Sequence, residues 1–156
     1  MKKTASAQKE LDGFIDKYAP EIAAQARACL KILRQRMPYA IQLVYDNYNA
    51  LAIGFGPTER TSEVVFSLAL YPRYLRLFFL QGKRVPDPDH LLEGKGNLVR
   101  SILISAPSDL NRPDIRELMA VAIESAKVSF DPLIAGAMQG RLIIRSVSAK
   151  QRPRQL

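Results

Sequence analysis

Four groups of residues in this chain have types and spacings suited to chemistry. Asp87-Pro88-Asp89-His90 gathers two carboxylates and an imidazole, a donor set able to hold a divalent ion. His90 is the only histidine and Cys29 the only cysteine, so no further soft ligand completes that site. Asp and Pro in such a run also shape a turn, and we expect a turn and no metal. Gly94-Lys95-Gly96 precedes Asn97 and Arg100. Glycines let backbone amides approach an anion, and Lys and Arg supply charge. With Lys83 or Arg84 nearby, Lys95, Gly96 and Arg100 make an anion-binding candidate. The run lacks the nucleotide phosphate-loop spacing and leads into a strand, so the plainer outcome is a tight turn with a solvated lysine.

Tyr45, Asn47, Tyr48 and Asn49 form a third group, at a strand end. Aromatics beside amides can clamp a flat polar ligand, and the alternative is a capped turn with the tyrosines as packing. The fourth group is the set of nucleophiles. Serine, threonine or cysteine needs a base held by an orienting partner. The single histidine lies in a Pro-rich loop, and Cys29 sits on the apolar face of a helix, where a thiol behaves as a small hydrophobe. We expect no catalytic residue, no cofactor and no enzyme activity.

The elements that must carry these groups are legible from periodicity. Leu11, Phe14, Ile15 and Tyr18 fall at helical spacing until Pro20, which suits the first turn of a second helix. Ile22, Ala26, Cys29, Leu30, Leu33 and Met37 line one face of it, and Pro38 ends it. Five strands follow: Ile41 to Tyr45, Leu51 to Phe55, Glu63 to Tyr71, Tyr74 to Leu80, and Leu98 to Ile104. In the third, Val64, Phe66, Leu68 and Leu70 alternate with Val65, Ser67 and Ala69. Short connections favour antiparallel neighbours. Ile115, Leu118, Met119, Ala122, Ile123 and Ala126 make one face of a helix that starts near Pro113. Phe130 to Gly140 is irregular, and Arg141 to Val147 reads as a short last strand before a tail. Strands between helices predict an α+β fold, α-β(5)-α, with an antiparallel sheet, helices on one face and a short C-terminal strand.

The chain's 156 residues suit one domain. A hydrophobic fraction of 47% with 24% charged residues argues against disorder, and a lone cysteine excludes a disulfide scaffold. No apolar run is long enough to span a membrane. Met1, Lys2 and Lys3 resemble the start of an export signal, but Thr4 to Glu10 is polar and no apolar segment follows, so we expect a cytoplasmic protein. The net charge is +8. Arg141, Arg145, Lys150, Arg152 and Arg154 supply +5 of it without an acid, leaving 18 basic and 15 acidic residues in the rest of the chain. The excess therefore sits in a basic tail rather than on the body.

Leu43-Val44-Tyr45-Asp46-Asn47-Tyr48-Asn49, Tyr71-Pro72 ahead of a strand, and Gly94-Lys95-Gly96 with Arg100 before the last long helix carry a resemblance. Over roughly residues 10–127 the chain resembles the YdhG-like family of domains of unknown function. The resemblance implies an α-β(5)-α fold, a domain over 1–128 with a C-terminal extension over 129–156, and a kinship of fold with the frataxin iron chaperones. The acidic first helix and strand of an iron carrier are not matched: Glu10, Asp12, Asp16 and Glu21 are interleaved with Lys17, Arg27, Lys31, Arg34 and Arg36. Three functions follow as expectations. The first is a non-enzymatic binding or adaptor domain for a small anion or a protein partner. The second is nucleic-acid association through the basic tail. Iron delivery is implied by the resemblance alone.

Overall fold

The computed structural model describes residues 4–156, and Met1, Lys2 and Lys3, the basic start considered above, lie outside it. The chain opens with two helices, α1 (Thr4–Ile15) and α2 (Pro20–Arg36). α1 begins well before Leu11. Its polar first turns are rich in helix formers and bury only Ala7, while Leu11, Phe14 and Ile15 face the core one and two turns on. Pro20 occupies the first turn of α2, as its spacing predicts. Ile22, Ala23, Ala26, Cys29, Leu30 and Leu33 form the buried stripe, with Glu21 in the first turn and Arg34 and Arg36 in the last, as the helix dipole favours.

Strands β1 (Ile41–Asp46), β2 (Leu51–Gly56), β3 (Phe66–Leu70), β4 (Leu75–Phe79) and β5 (Arg100–Ile104) form an antiparallel meander. Its register stacks apolar side chains in rows across the sheet. Leu51, Leu70, Leu75 and Ile104 lie abreast, then Ile53, Leu68, Leu77 and Ile102, then Phe55, Phe66 and Phe79. Phe66 and Phe79 meet edge to face, with ring centroids 5.1 Å apart, a preferred aromatic geometry. α3 (Pro113–Glu124) packs Ile115, Leu118, Met119 and Ala122 into the core these rows share with α1 and α2.

The structure departs from the sequence expectation in three places. The expected short last strand is present, but it makes the sheet mixed: β6 (Leu142–Val147) runs parallel to β1 on the edge opposite β5, in the order β5-β4-β3-β2-β1-β6. The parallel pairing is permitted because α3 carries the chain back across the sheet between β5 and β6. The helices are not all on one face either. A short helix, α4 (Pro132–Ala135), covers the reverse side, where Ala135 and Met138 pack with Ile41, Leu43 and Val64. Val64 is the third departure, because it does not share a face with Phe66, Leu68 and Leu70. A 3-10 turn over Thr61–Glu63 breaks the alternation, so Val64 joins the reverse cluster and Val65 the main core.

The basic tail is packed against the domain. Asp46, at the end of β1, is fully buried, and its Oδ1 accepts from Arg154 Nη2 at 2.8 Å. The same nitrogen donates to the Asn47 carbonyl at 2.6 Å. Asp46 Oδ2 accepts from Gln151 Nε2 at 2.8 Å and from Lys17 Nζ at 3.1 Å. Backbone bonds from Ser148 N–H to the Asp46 carbonyl and from Arg152 N–H to the Tyr48 carbonyl, both 2.8 Å, lay the tail along the β1–β2 turn. The Arg154 guanidinium also lies 5.7 Å from the ring centroid of Tyr18. The Tyr18 hydroxyl accepts from Leu51 N–H at 3.1 Å and donates to the Leu70 carbonyl at 2.8 Å. A carboxylate removed from water needs a cation and hydrogen bonds, and Arg154 supplies both, so it is not part of a free basic arm. Among the described residues, no helix is long and apolar enough to cross a membrane.

Two outcomes follow from this packing. Arg154→Met or Asp46→Asn, each of which leaves a buried partner uncompensated, should cost about 3–5 kcal/mol in urea unfolding. The double variant should cost clearly less than the sum, and strictly additive losses would show that the two side chains are not coupled. Cys29 is fully buried, and burial, assisted by Asp109, pushes its thiol up to about 12. It should therefore resist labelling by a soluble thiol reagent in the native protein at pH 8 and react only after denaturation.

Candidate functional site

The sheet face away from α1, α2 and α3 carries small side chains at its centre. Ala52 of β2 pairs with Ala69 of β3, and Gly54 with Ser67. Phe78 and Arg76 of β4 flank them. Short side chains between larger ones leave a hollow of about 460 Å³. Its walls are Phe78 and Tyr71 on one side and Asn47, Tyr48 and Asn49 on the other, with Ser148 from the tail. Across Asn49 and Tyr71 the hollow continues into a second depression of about 820 Å³, bordered by Arg73, Tyr74, Arg152 and Pro153. The two share Asn49 and Tyr71 as lining and together are termed the groove. The β1–β2 turn, the β3–β4 turn and the docked tail build it.

Flat surfaces and cations both line this groove. Tyr71 and Tyr74 are stacked, with centroids 4.9 Å apart and planes at 23°. The hairpin turn between β3 and β4 holds them, through Tyr71 N–H donating to the Tyr74 carbonyl at 2.9 Å. On the other bank Arg152 lies 5.6 Å from the ring centroid of Tyr48, which is 49% exposed. Burial, and then the neighbouring Tyr74, hold the Tyr71 phenol above its ordinary value, so it is a neutral hydrogen-bond donor at physiological pH. Arg73 and Arg152 are exposed, and neither pairs with a carboxylate among the described residues. Arg76, by contrast, bonds Ser101 Oγ at 2.9 Å and lies 3.5 Å from Glu93.

Three of the four pocket residues expected from sequence, Asn47, Tyr48 and Asn49, line the groove. Tyr45 does not: it is half-buried, and its hydroxyl is bonded to the hydroxyl of Thr61. Sequence reasoning missed Tyr71, Arg73, Tyr74 and Arg152 as site residues. The Tyr-Pro-Arg-Tyr turn was the available signal, since it sets two rings on one two-residue connection.

The Gly-Lys-Gly loop is held from within. Arg100 Nη1 donates to the carbonyls of Gly96 at 2.7 Å and Val99 at 2.8 Å. The loop thus offers carbonyls, not amides, to its arginine, because unpaired loop carbonyls take the nearest donor. Lys83 joins the loop through its backbone, its N–H donating to the Leu98 carbonyl at 2.8 Å, while Lys95 is exposed. The tight glycine here is Gly82, where an added Cβ would sit 2.5 Å from Arg100 Cβ. Gly96 has open space around it. Asp87 closes the turn that carries His90, accepting from the amides of Leu91 and Leu92 at 2.9 and 2.8 Å. His90 completes that turn at φ 53°.

Two acids of the first helix and the turn after it are engaged by neighbouring side chains. Asp16 is paired with Arg27 at 2.6 Å, and Asp12 accepts from Gln8 at 3.0 Å. Among the described residues no three His, Cys, Asp or Glu side chains gather where they could hold a metal ion. No family model, curated protein or solved structure matches the chain.

The two glycines separate packing from accessibility in the loop. Gly82→Ala should destabilise the protein by about 1–3 kcal/mol through overpacking against Arg100. Gly96→Ala should change its stability little, within about 0.5 kcal/mol, and so barely move its thermal midpoint. Equal midpoints for the two variants would contradict the interlock of Gly82 with Arg100.

Proposed function

We propose that this is a non-enzymatic binding domain whose groove takes a small ligand made of a flat ring and an anionic group. An aryl carboxylate or a mononucleotide has that chemistry. The observation that carries the proposal is the pairing of stacking surfaces with uncompensated cations: Tyr71–Tyr74 on one bank, Tyr48–Arg152 on the other, and Arg73 in the lining. A ring laid on the tyrosines gains dispersion and quadrupole contacts, and the two guanidiniums meet the charge. The amides of Asn47 and Asn49 and the hydroxyls of Ser67 and Ser148 supply donors and acceptors for the ring's edge. The lining holds no acid and no imidazole to act as a general base. The resemblance to the YdhG-like family is compatible with such a role, and the single, buried thiol suits the reducing cytoplasm in which we place the protein.

A second reading, single-stranded nucleic acid on the same groove, is favoured by its tyrosines and arginines, the composition of base-stacking platforms. It differs from the expected tail-driven association, because Arg154 is internal and Arg141 half-buried, leaving Arg145, Lys150 and Arg152 exposed. Titration of isotope-labelled protein with adenosine monophosphate, benzoate, inorganic phosphate and a ten-nucleotide thymidine strand distinguishes the two. We expect saturable shifts at Asn49, Tyr71 and Ser148 with the mononucleotide or benzoate. Tyr74→Ala and Arg152→Ala should each weaken binding by roughly tenfold. Much tighter, steeply salt-dependent binding of the strand would favour the second reading. Unmoved groove signals at millimolar concentrations of every probe would remove both.

A further inference from the structure

A second cavity, sharing no residue with the groove, lies where the last turn of α3 crosses one end of the sheet. It encloses about 380 Å³, within the usual range for small-molecule sites. Its floor is apolar. Val65, Phe79, Val85 and Ala122 line it, each under 10% exposed. Ala122 presents only a one-carbon side chain to the cavity, and α3 ends at Glu124, so no further helical turn fills the gap. Such a void forfeits the dispersion contacts its lining would otherwise make, and an apolar guest restores them.

The rim is polar and unbalanced in charge. Arg84 and Lys127 are both exposed, and neither pairs with a carboxylate among the described residues. The Arg84 guanidinium donates to Gln81 Oε1 at 3.0 Å, a neutral partner. The one acid on the rim, Glu63, is already engaged. It accepts from the Thr58 hydroxyl and lies 3.9 Å from Arg60. Two free cations over a greasy floor complement one ligand shape, an apolar chain or ring ending in a carboxylate. We infer that this cavity binds a medium-chain or aryl monocarboxylate, its apolar body on Val65, Phe79, Val85 and Ala122 and its carboxylate at Arg84 and Lys127.

The experiment is a titration of the full chain, labelled at methyl and backbone positions, with octanoate, and in parallel with octan-1-ol and octylammonium. The expected result is saturable shifts at Val65, Val85 and Ala122 with octanoate while the groove signals of Tyr71 and Asn49 stay still. Octanol should bind more weakly and octylammonium weakest. Arg84→Ala and Lys127→Ala together should weaken octanoate by roughly tenfold without changing octanol. Ala122→Leu should fill the space and abolish both. Absence of saturable shifts at these residues at millimolar octanoate overturns the inference. So does equal affinity for octanol and octanoate, or octanoate binding that ignores the removal of both cations. If Ala122→Leu does not fold, the Arg84/Lys127 pair, both on the surface, still decides the matter.

Discussion

The buried contact between Asp46 and Arg154 is the constraint on which the rest of the molecule turns. A carboxylate at the end of a core strand is a liability until a cation reaches it, and here the cation comes from 108 residues further along the chain. Lys17 contributes from the solvent side with a side chain 44% exposed, too open to neutralise the charge alone. The result is that the last residues are drawn over the β1–β2 turn. The same draw brings Arg152 onto Tyr48 and Ser148 to the edge of the hollow, so one ion pair both closes the core and builds a wall of the groove. Tyr18 ties this corner to the sheet by bonding β2 and β3 at once.

That arrangement also has a cost in chain closure. The five-strand meander is made from neighbours in sequence, whereas β6 and the tail must return to β1 from the far side of the sheet. Contacts between distant segments carry the larger loop-closure cost, so the wall of the groove made by the tail is the costliest part of the domain to close.

Periodicity made most of the fold legible. The alternation of Leu75, Leu77 and Phe79 and the stripe through Ile115, Leu118, Met119 and Ala122 each match the core they form. What was hidden depended on events outside the local pattern. The face of Val64 depends on a 3-10 turn three residues long, and the direction of β6 on a crossover. The role of Arg154 was obscured because five basic residues in sixteen look alike as charge, while only one of them finds a buried acid. The site was half legible for the same reason. Asn47, Tyr48 and Asn49 are adjacent in sequence, but Tyr71, Tyr74 and Arg152 reach them only through strand register and tail docking. Arg100 illustrates the remaining gap: its position was plain, but its hydrogen bonds turn inward to its own loop.

The two outer strands bear on how copies of this protein meet one another. An exposed sheet edge is a template on which another chain can add a strand. On β5, Glu93 folds back to exchange both backbone hydrogen bonds with Ser101, at 2.8 Å each, so the middle of that edge is already occupied. On β6 the pairing with β1 skips Arg145, which bulges out of register between Ile144 and Ser146 and gives its side chain to the Glu59 carbonyl. A bulge twists an edge away from flat addition. One border is capped by its own chain and the other is bent, so a sheet rich in leucine, isoleucine and phenylalanine is shielded at both margins from growing into its neighbour's.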